Sequence, residues 1–269
     1  GGGGLAGGGA PPPAAADWWS RNPPRQLQPG TPEDAGMIRG YLDRIDDAIR
    51  SGIEAGIFPG AVVLIARHGR IVKHQAYGHA LRYATDGQPL PPSAWLPMRP
   101  DTVFDLASVT KLVTSIAVMQ LVERGRIDLD QPVARYLPEF GAAGKEQVTV
   151  RQLLTHTSGL PAWLPLYTLP GTPADRLRAV FAAPLVDPPG TVYRYSDLGL
   201  IVLGVLVERV SGLPLDRYVT ERITGPLDMR DTMFNPPPSL RERIAATEYQ
   251  PWTNRGLVWG SVHDENAYA

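Results

Sequence analysis

Ser108 and Lys111 stand three residues apart in the stretch FDLASVTKLVTSIAVMQLVERG at 104–125. In a helix that spacing puts two side chains on one face with Cβ atoms about 5–6 Å apart, so a hydroxyl and an amine come within reach of each other. A serine alcohol is a poor nucleophile until a neighbouring base takes its proton, and an adjacent amine is one group able to do so. Backbone N–H groups at a helix N-terminus have no intrahelical partners and can stabilise an oxyanion. Val109, Leu112, Val113, Ile116, Ala117, Met119, Leu121 and Val122 leave the segment little polar face, which predicts a helix buried in its domain and stopped by Gly125. An unpaired ammonium there would carry a heavy desolvation penalty, so Lys111 is expected to be used. The competing reading has Ser108 capping the helix and Lys111 snorkelling from its first turn. With three lysines and ten serines in the chain, chance sets a Ser three residues before a Lys roughly 0.1 times, so the pair needs support from elsewhere.

The rest of the chain must build a frame for that pair. At 269 residues with 43% hydrophobic content it can bury a substantial core, in one large domain or two small ones. A formal net charge of -1, from 26 basic and 27 acidic residues, gives no field to attract nucleic acid. No cysteine is present, which excludes disulfides, thiolate catalysis and thiolate metal sites. Five histidines, at 68, 74, 79, 156 and 263, show no metal-ligand spacing. No run of about 18 apolar residues exists, so no membrane span is expected. The opening GGGGLAGGGAPPPAAA has too little apolar surface to fold and reads as a flexible leader, continued by a Pro-rich linker to about residue 32.

Folded elements should then follow. Residues 32–57, with Thr31 as cap, carry Ile38, Leu42, Ile45, Ile49 and Ile53 at helical spacing. Two β-type runs, 61–67 and 70–78, flank His68-Gly69 and read as a tight hairpin. Val62, Leu64 and Ala66 would face one side and Val63 and Ile65 the other, which implies a cover on both. A polar, Pro-rich loop at 81–100 delivers the chain to the Ser108 helix. Further helices are expected near 150–154, over 174–182, from about 197 to 210 with Gly212 as stop, and over 214–224. The last stretch, 235–269, is loop-rich.

Four stretches in order, SVTK at 108–111, GRIDLDQPVARYLPEF, LLTHTSGL at 153–160 and YSD at 195–197, resemble the penicillin-recognising serine hydrolases. The branch is that of class C β-lactamases, D-alanyl-D-alanine peptidases and related esterases. LLTHTSGL is the most specific, since eight contiguous residues match. The resemblance covers about 41–269 and implies an α/β plus α fold, a helical domain against an antiparallel-sheet α/β domain, with the active site between them. It would divide the chain into a leader and linker at 1–32, the start of the α/β domain at 33–98 and the helical domain at 99–269. It further implies Ser108 as acylated nucleophile, Lys111 as its proton partner, and Tyr195 as the group relaying a proton to the leaving group. The substrate would be an ester, a β-lactam or a D-amino-acid peptide of peptidoglycan type, with no metal or organic cofactor. His156 and Ser158 would serve packing. An extracytoplasmic location goes with the family.

Two departures qualify this. The family usually has Asn at the position of Asp197, where an amide can donate to a substrate carbonyl; a carboxylate only accepts. An ionised Asp197 near Lys111 would also favour the ammonium form. The family's third motif, a Lys- or His-centred triad ending in Gly, does not occur in these residues. The sheet is therefore expected to be incomplete within this chain, with a second chain or a missing C-terminal segment supplying the remainder. That absence also keeps open a non-catalytic binding or regulatory module on the same fold. A metal-dependent hydrolase using His263, Asp264 and Glu265 is disfavoured, because adjacent side chains diverge and Asp264 reads as a helix cap.

Overall fold

The computed structural model describes residues 26–269, and the leader as far as residue 25 lies outside them. These residues form two compact units, one from the chain up to residue 80 together with 96–100, the other from 81–95 with 101–269.

In the first unit the expected linker is already structured before residue 32: Gln28–Pro29 forms a short strand, β1, parallel to residues 70–71. Gln28 N–H donates to the Gly69 carbonyl at 2.9 Å and Gly30 N–H to that of Ile71 at 3.0 Å, so backbone pairing outweighs a Pro-rich composition. Pro29 fits because a strand at the sheet edge can lack one donor. The helix expected over 32–57 is split. Thr31 does cap, its hydroxyl accepting from Asp34 N–H at 3.2 Å, but what it caps is a single 3₁₀ turn, Glu33–Ala35, which Gly36 ends in a left-handed conformation. The α-helix proper, α1, runs Arg39–Glu54 and packs Leu42, Ile45, Ile49 and Ile53, while Ile38 lies before it, 64% exposed.

Strands β2, Gly60–Arg67, and β3, Arg70–Leu81, pair antiparallel as expected. His68 and Gly69 both take positive φ, which a two-residue hairpin turn of this twist requires. Leu96–Pro97, inside the stretch read as loop, adds β4 beside β3, so the sheet has four strands, two of them only two residues long. Asp46 of α1 accepts from Lys73 Nζ at 2.9 Å and from the Tyr77 hydroxyl, which pins the helix to the face carrying Lys73, Gln75 and Tyr77. Lys73, nearly buried, needs that carboxylate. The opposite face of β2 is not covered as expected, for Leu64 is 50% exposed.

The second unit is helical. A 3₁₀ turn, Ala107–Val109, leads into α2, Thr110–Glu123; after it come α3, Val150–Leu154, α4, Pro173–Ala182, and α5, Asp197–Ser211. The short α6, Leu215–Val219, continues as a π turn, Thr220–Thr224, where one straight helix is expected. Two-residue strands β5, Tyr249–Gln250, and β6, Gly256–Leu257, pair with each other, and α7, Glu265–Tyr268, follows. The core centres on α5, whose Leu198, Val202, Leu203, Leu206 and Val207 are fully buried, each contributing about 1.5–3 kcal/mol. Helix α2 packs along α5 through Ala117, Val118 and Leu121.

The expectation that α2 is buried all round does not hold. Its other face carries Val109, Leu112, Ile116 and Met119, which are 55%, 64%, 47% and 44% exposed. Apolar composition on every side cannot distinguish the stripe that meets α5 from the stripe left about half exposed. No single helix among the described residues is long and apolar enough to cross a membrane.

Candidate active site

Two helix N-termini bring the side chains of interest together. Ser108 sits in the 3₁₀ turn ahead of α2, and Lys111 in that helix's first turn. The turn begins at Ala107, whose φ of 49° is a conformation that a non-glycine residue adopts only at a cost of about 1–2 kcal/mol. Lys111 Nζ donates to Ser108 Oγ at 3.1 Å, the contact that the three-residue spacing predicts.

The second N-terminus is that of α5. Ser196, 1% exposed, is its N-cap: its Oγ accepts from Gly199 N–H at 3.3 Å and donates to the Pro161 carbonyl at 2.6 Å. This one buried residue fixes its two neighbours, Tyr195 and Asp197, on either side. Asp197 N–H is held by the Ala162 carbonyl at 2.9 Å. As the first residue of α5, Asp197 also places its carboxylate where the helix dipole favours negative charge.

Lys111 is the hub. Besides Ser108 it meets Asp197 Oδ1 at 2.8 Å, and its ammonium lies over the Tyr195 ring, 4.7 Å from the centroid. Burial pulls the Lys111 pKa down, but the Asp197 carboxylate and Tyr195 outweigh it and hold the pKa above the ordinary lysine value. The side chain is thus an ammonium at neutral pH, and a lone pair for Ser108's proton is not freely available on it. The carboxylate at 197, read from the sequence as a substrate contact, is engaged with Lys111.

The LLTHTSGL stretch positions Tyr195. After α3 ends at Leu154, its chain runs beside residues 186–196: the Gly159 carbonyl accepts from Val186 N–H at 2.8 Å, Thr157's from Gly190 N–H at 2.7 Å, and His156's from Arg194 N–H at 2.7 Å. The His156 ring completes the series, with Nδ1 accepting from Ser196 N–H at 3.0 Å and its face 4.7 Å from the Tyr195 ring centroid. Burial first, and the Lys111 charge second, lower the His156 pKa, so the imidazole is neutral. Its acceptor role at Nδ1 places the proton on Nε2. Ser158 is 3% exposed, its Oγ accepting from Leu160 N–H at 3.2 Å. The packing role expected for this loop is what the contacts describe, and His156 adds a direct hold on Tyr195 that the sequence reading did not give it.

Gly159 explains why the stretch ends as it does. Its φ is 88°, and a Cβ there would lie 2.1 Å from the Asp187 carbonyl oxygen. Gly159→Ala is therefore expected to cost about 2–4 kcal/mol by combining left-handed strain with overpacking. Chemical denaturation checks this; a loss below about 0.5 kcal/mol, the scale of an ordinary surface substitution, would show that the 156–159 and 186–196 segments are not closely apposed.

His263, Asp264 and Glu265 do not converge. His263 Nδ1 lies 2.9 Å from Asp105 Oδ2, Asp264 caps α7 by accepting from Ala267 N–H at 2.8 Å, and Glu265 accepts from Trp252 Nε1 at 3.2 Å. No group of three or more potential metal-ligating side chains occurs among the described residues. Sequence reasoning missed Ser196 as a cap, although a serine ahead of the apolar run from 198 is the usual signal. It also missed Asp105, whose partner is 158 positions away and leaves no local pattern.

Residues 45–269 match the family model described as Beta-lactamase. A putative D-alanyl-D-alanine carboxypeptidase of Salmonella agona (strain SL483) is 33% identical over 90% of this chain and 61% of its own length. An N-acetylmuramyl-L-alanine amidase of Bacillus subtilis (strain 168) is 34% identical over 88% of this chain and 58% of its own. The chain thus spans about three-fifths of these relatives. Among solved structures, EstCE1, a hydrolase with promiscuous acyltransferase activity, superposes with a TM-score of 0.66 at 31% identity, covering 77% of this chain and 56% of that one. A class C β-lactamase also gives 0.66, at 23% identity over 81% of this chain and 60% of that chain, a likeness of fold.

Proposed function

The chain belongs to the β-lactamase family, and on that premise we propose that it is a serine acyl-hydrolase working through an acyl-Ser108 intermediate. The observation that carries the reading is the single ammonium of Lys111, held 3.1 Å from Ser108 Oγ and 2.8 Å from Asp197 while lying over Tyr195. A capping serine and a snorkelling lysine would need neither of the last two contacts.

In the proposed reaction Ser108 Oγ attacks the substrate carbonyl carbon, forming a C–O bond as the proton leaves Oγ. Because Lys111 is held as an ammonium with no lone pair to offer, the reactive form of the coupled Lys111–Tyr195 pair is the one in which the Tyr195 oxygen has already given up its own proton, and that oxygen takes the proton from Oγ. The bond to the leaving alcohol or amine then breaks, and the leaving group takes the proton back. Water repeats the attack on the acyl-serine: its proton passes to the same pair and returns to Ser108 Oγ as the acid is released. Neutral His156 holds the Tyr195 ring and exchanges no proton.

The substrate class we propose is an ester, a β-lactam or a D-amino-acid peptide. Support comes from the names of relatives that handle D-alanyl and N-acetylmuramyl groups, constituents of peptidoglycan, and from the neighbour named as a hydrolase with promiscuous acyltransferase activity. The same names support an extracytoplasmic site of action. No metal or cofactor is required by these steps.

Asp197 makes a further prediction. Its carboxylate offers a substrate amide no donor, whereas Asn would. Asp197→Asn should therefore raise the ratio of β-lactam to small-ester turnover by about tenfold, even if both rates change as Lys111 loses its partner. Parallel assays with a chromogenic cephalosporin and a p-nitrophenyl ester read that ratio directly. An unchanged ratio would mean that residue 197 serves Lys111 alone and does not read the substrate.

A further inference from the structure

The strained turn before Ser108 is held by a carboxylate, and that carboxylate by a distant segment of the same unit. Asp105 Oδ1 accepts from Ala107 N–H at 2.8 Å, fixing the residue with φ 49° immediately ahead of the serine. Asp105 Oδ2 accepts twice from His263, from its backbone N–H and from Nδ1, each at 2.9 Å. To donate to a carboxylate, Nδ1 must carry a proton. Burial raises the Asp105 pKa, but the bonds from His263 and Ala107 lower it by more, so the acceptor stays ionised.

His263 is itself anchored from behind. Its carbonyl accepts from Gln250 Nε2 at 2.6 Å and from Arg255 Nη2 at 3.0 Å. Gln250 is fully buried, and its Oε1 accepts from the same Arg255 Nη2 at 2.6 Å, while Arg255 Nη1 donates to the Val262 carbonyl at 2.6 Å. Both polar groups of the His263 backbone are thus committed, the N–H to Asp105 and the carbonyl to Gln250 and Arg255. A continuous chain of hydrogen bonds therefore runs from Arg255 and Gln250 through His263 and Asp105 to Ala107, and ends one residue short of Ser108.

We propose that His263 is a positioning residue for Ser108, acting through Asp105 to hold the Ala107 turn in the conformation that presents the serine hydroxyl to Lys111. This rests on Ser108 being the acylated residue. The physical need is clear: a left-handed alanine relaxes unless its surroundings prevent it, and displacement of a nucleophile by about 1 Å can cost 10²-fold in rate. His263 touches no reacting atom in this role, so its loss should slow acylation while leaving substrate affinity nearly alone.

The test compares His263→Leu, which keeps bulk without a donor, with His263→Asn, whose side-chain amide can replace the Nδ1 donor. Both are measured in the natural full-length protein for acylation rate, for KM, and for hydrogen exchange at the Ala107 amide. His263→Leu should acylate about 10²-fold more slowly with KM within about threefold of wild type, and exchange should accelerate at 105–109. His263→Asn should recover at least about tenfold of that loss and restore the protection. Acylation of His263→Leu at the wild-type rate, or equal slowing in both variants, would overturn the proposal. So would faster exchange spread evenly through the unit, because that would report general destabilisation. If wild-type Ser108 takes up no acyl group, the acyl-serine reading fails, and the exchange at Ala107 still shows separately whether His263 holds the turn.

Discussion

Ser108→Ala is expected to lower turnover by on the order of 10⁴- to 10⁶-fold, the loss that follows removal of a covalent nucleophile, while the unit keeps its thermal transition. Ser108 is exposed, and its side chain contributes one hydrogen bond, from Lys111, so little packing is lost. Alanine is also well tolerated in helical turns. The discriminating control is Lys111: with the serine hydroxyl gone, its ammonium still has Asp197 at 2.8 Å and stays paired. Steady-state kinetics on the most active ester or β-lactam, beside circular dichroism of the variant, separates loss of the nucleophile from loss of the fold. Activity within tenfold of wild type would move the nucleophile elsewhere.

Tyr195→Phe is expected to cost about 10²- to 10⁴-fold in rate, the range for a positioned proton-transfer group. The ring contacts with His156 and Lys111 survive this change, since both involve the aromatic face. Stability should therefore be close to wild type, and the deficit should fall on kcat. A loss below tenfold would reduce Tyr195 to a platform for Lys111, and the proton would then have to go to Lys111 in its free-amine form.

How much of this was legible in the sequence depends on the range of the interaction. The His68-Gly69 turn and helix α5, stopped by Gly212, are local: a two-residue loop requiring positive φ and an apolar run with a left-handed glycine after it are readable in order. The Ser108–Lys111 contact is equally local, three residues within one turn. Boundaries failed where a local signal was real but short-ranged. Thr31 caps as predicted, yet Gly36 ends that turn and the helix restarts at Arg39. Gln28–Pro29 reads as linker because its strand partner lies about 40 residues on, in β3. Helix α2 shows the limit of periodicity, for an all-apolar segment gives no indication of which face meets α5 and which stays exposed.

The site divides along the same line. Tyr195 and Asp197 came from the resemblance of YSD and LLTHTSGL to a family, and the contacts give that resemblance a physical content: Ser196 caps α5 between them, and His156 holds both Ser196 and Tyr195. The pairing of Asp197 with Lys111 follows from opposite charges once two helix N-termini meet, but their meeting is a tertiary fact. The hold of His263 on Asp105 has no sequence signature at all, and only the folded chain reveals it.

Acylation of Ser108 is read out by treating the natural full-length protein with a fluorophosphonate and, separately, with a fluorescent penicillin, then measuring intact mass and mapping the labelled peptide. One covalent adduct per chain is expected, on the peptide containing Ser108, and none in Ser108→Ala. No adduct with either reagent would contradict it and favour a non-catalytic binding module on the same fold; an adduct that maps to another residue, or that persists in Ser108→Ala, would contradict it as well.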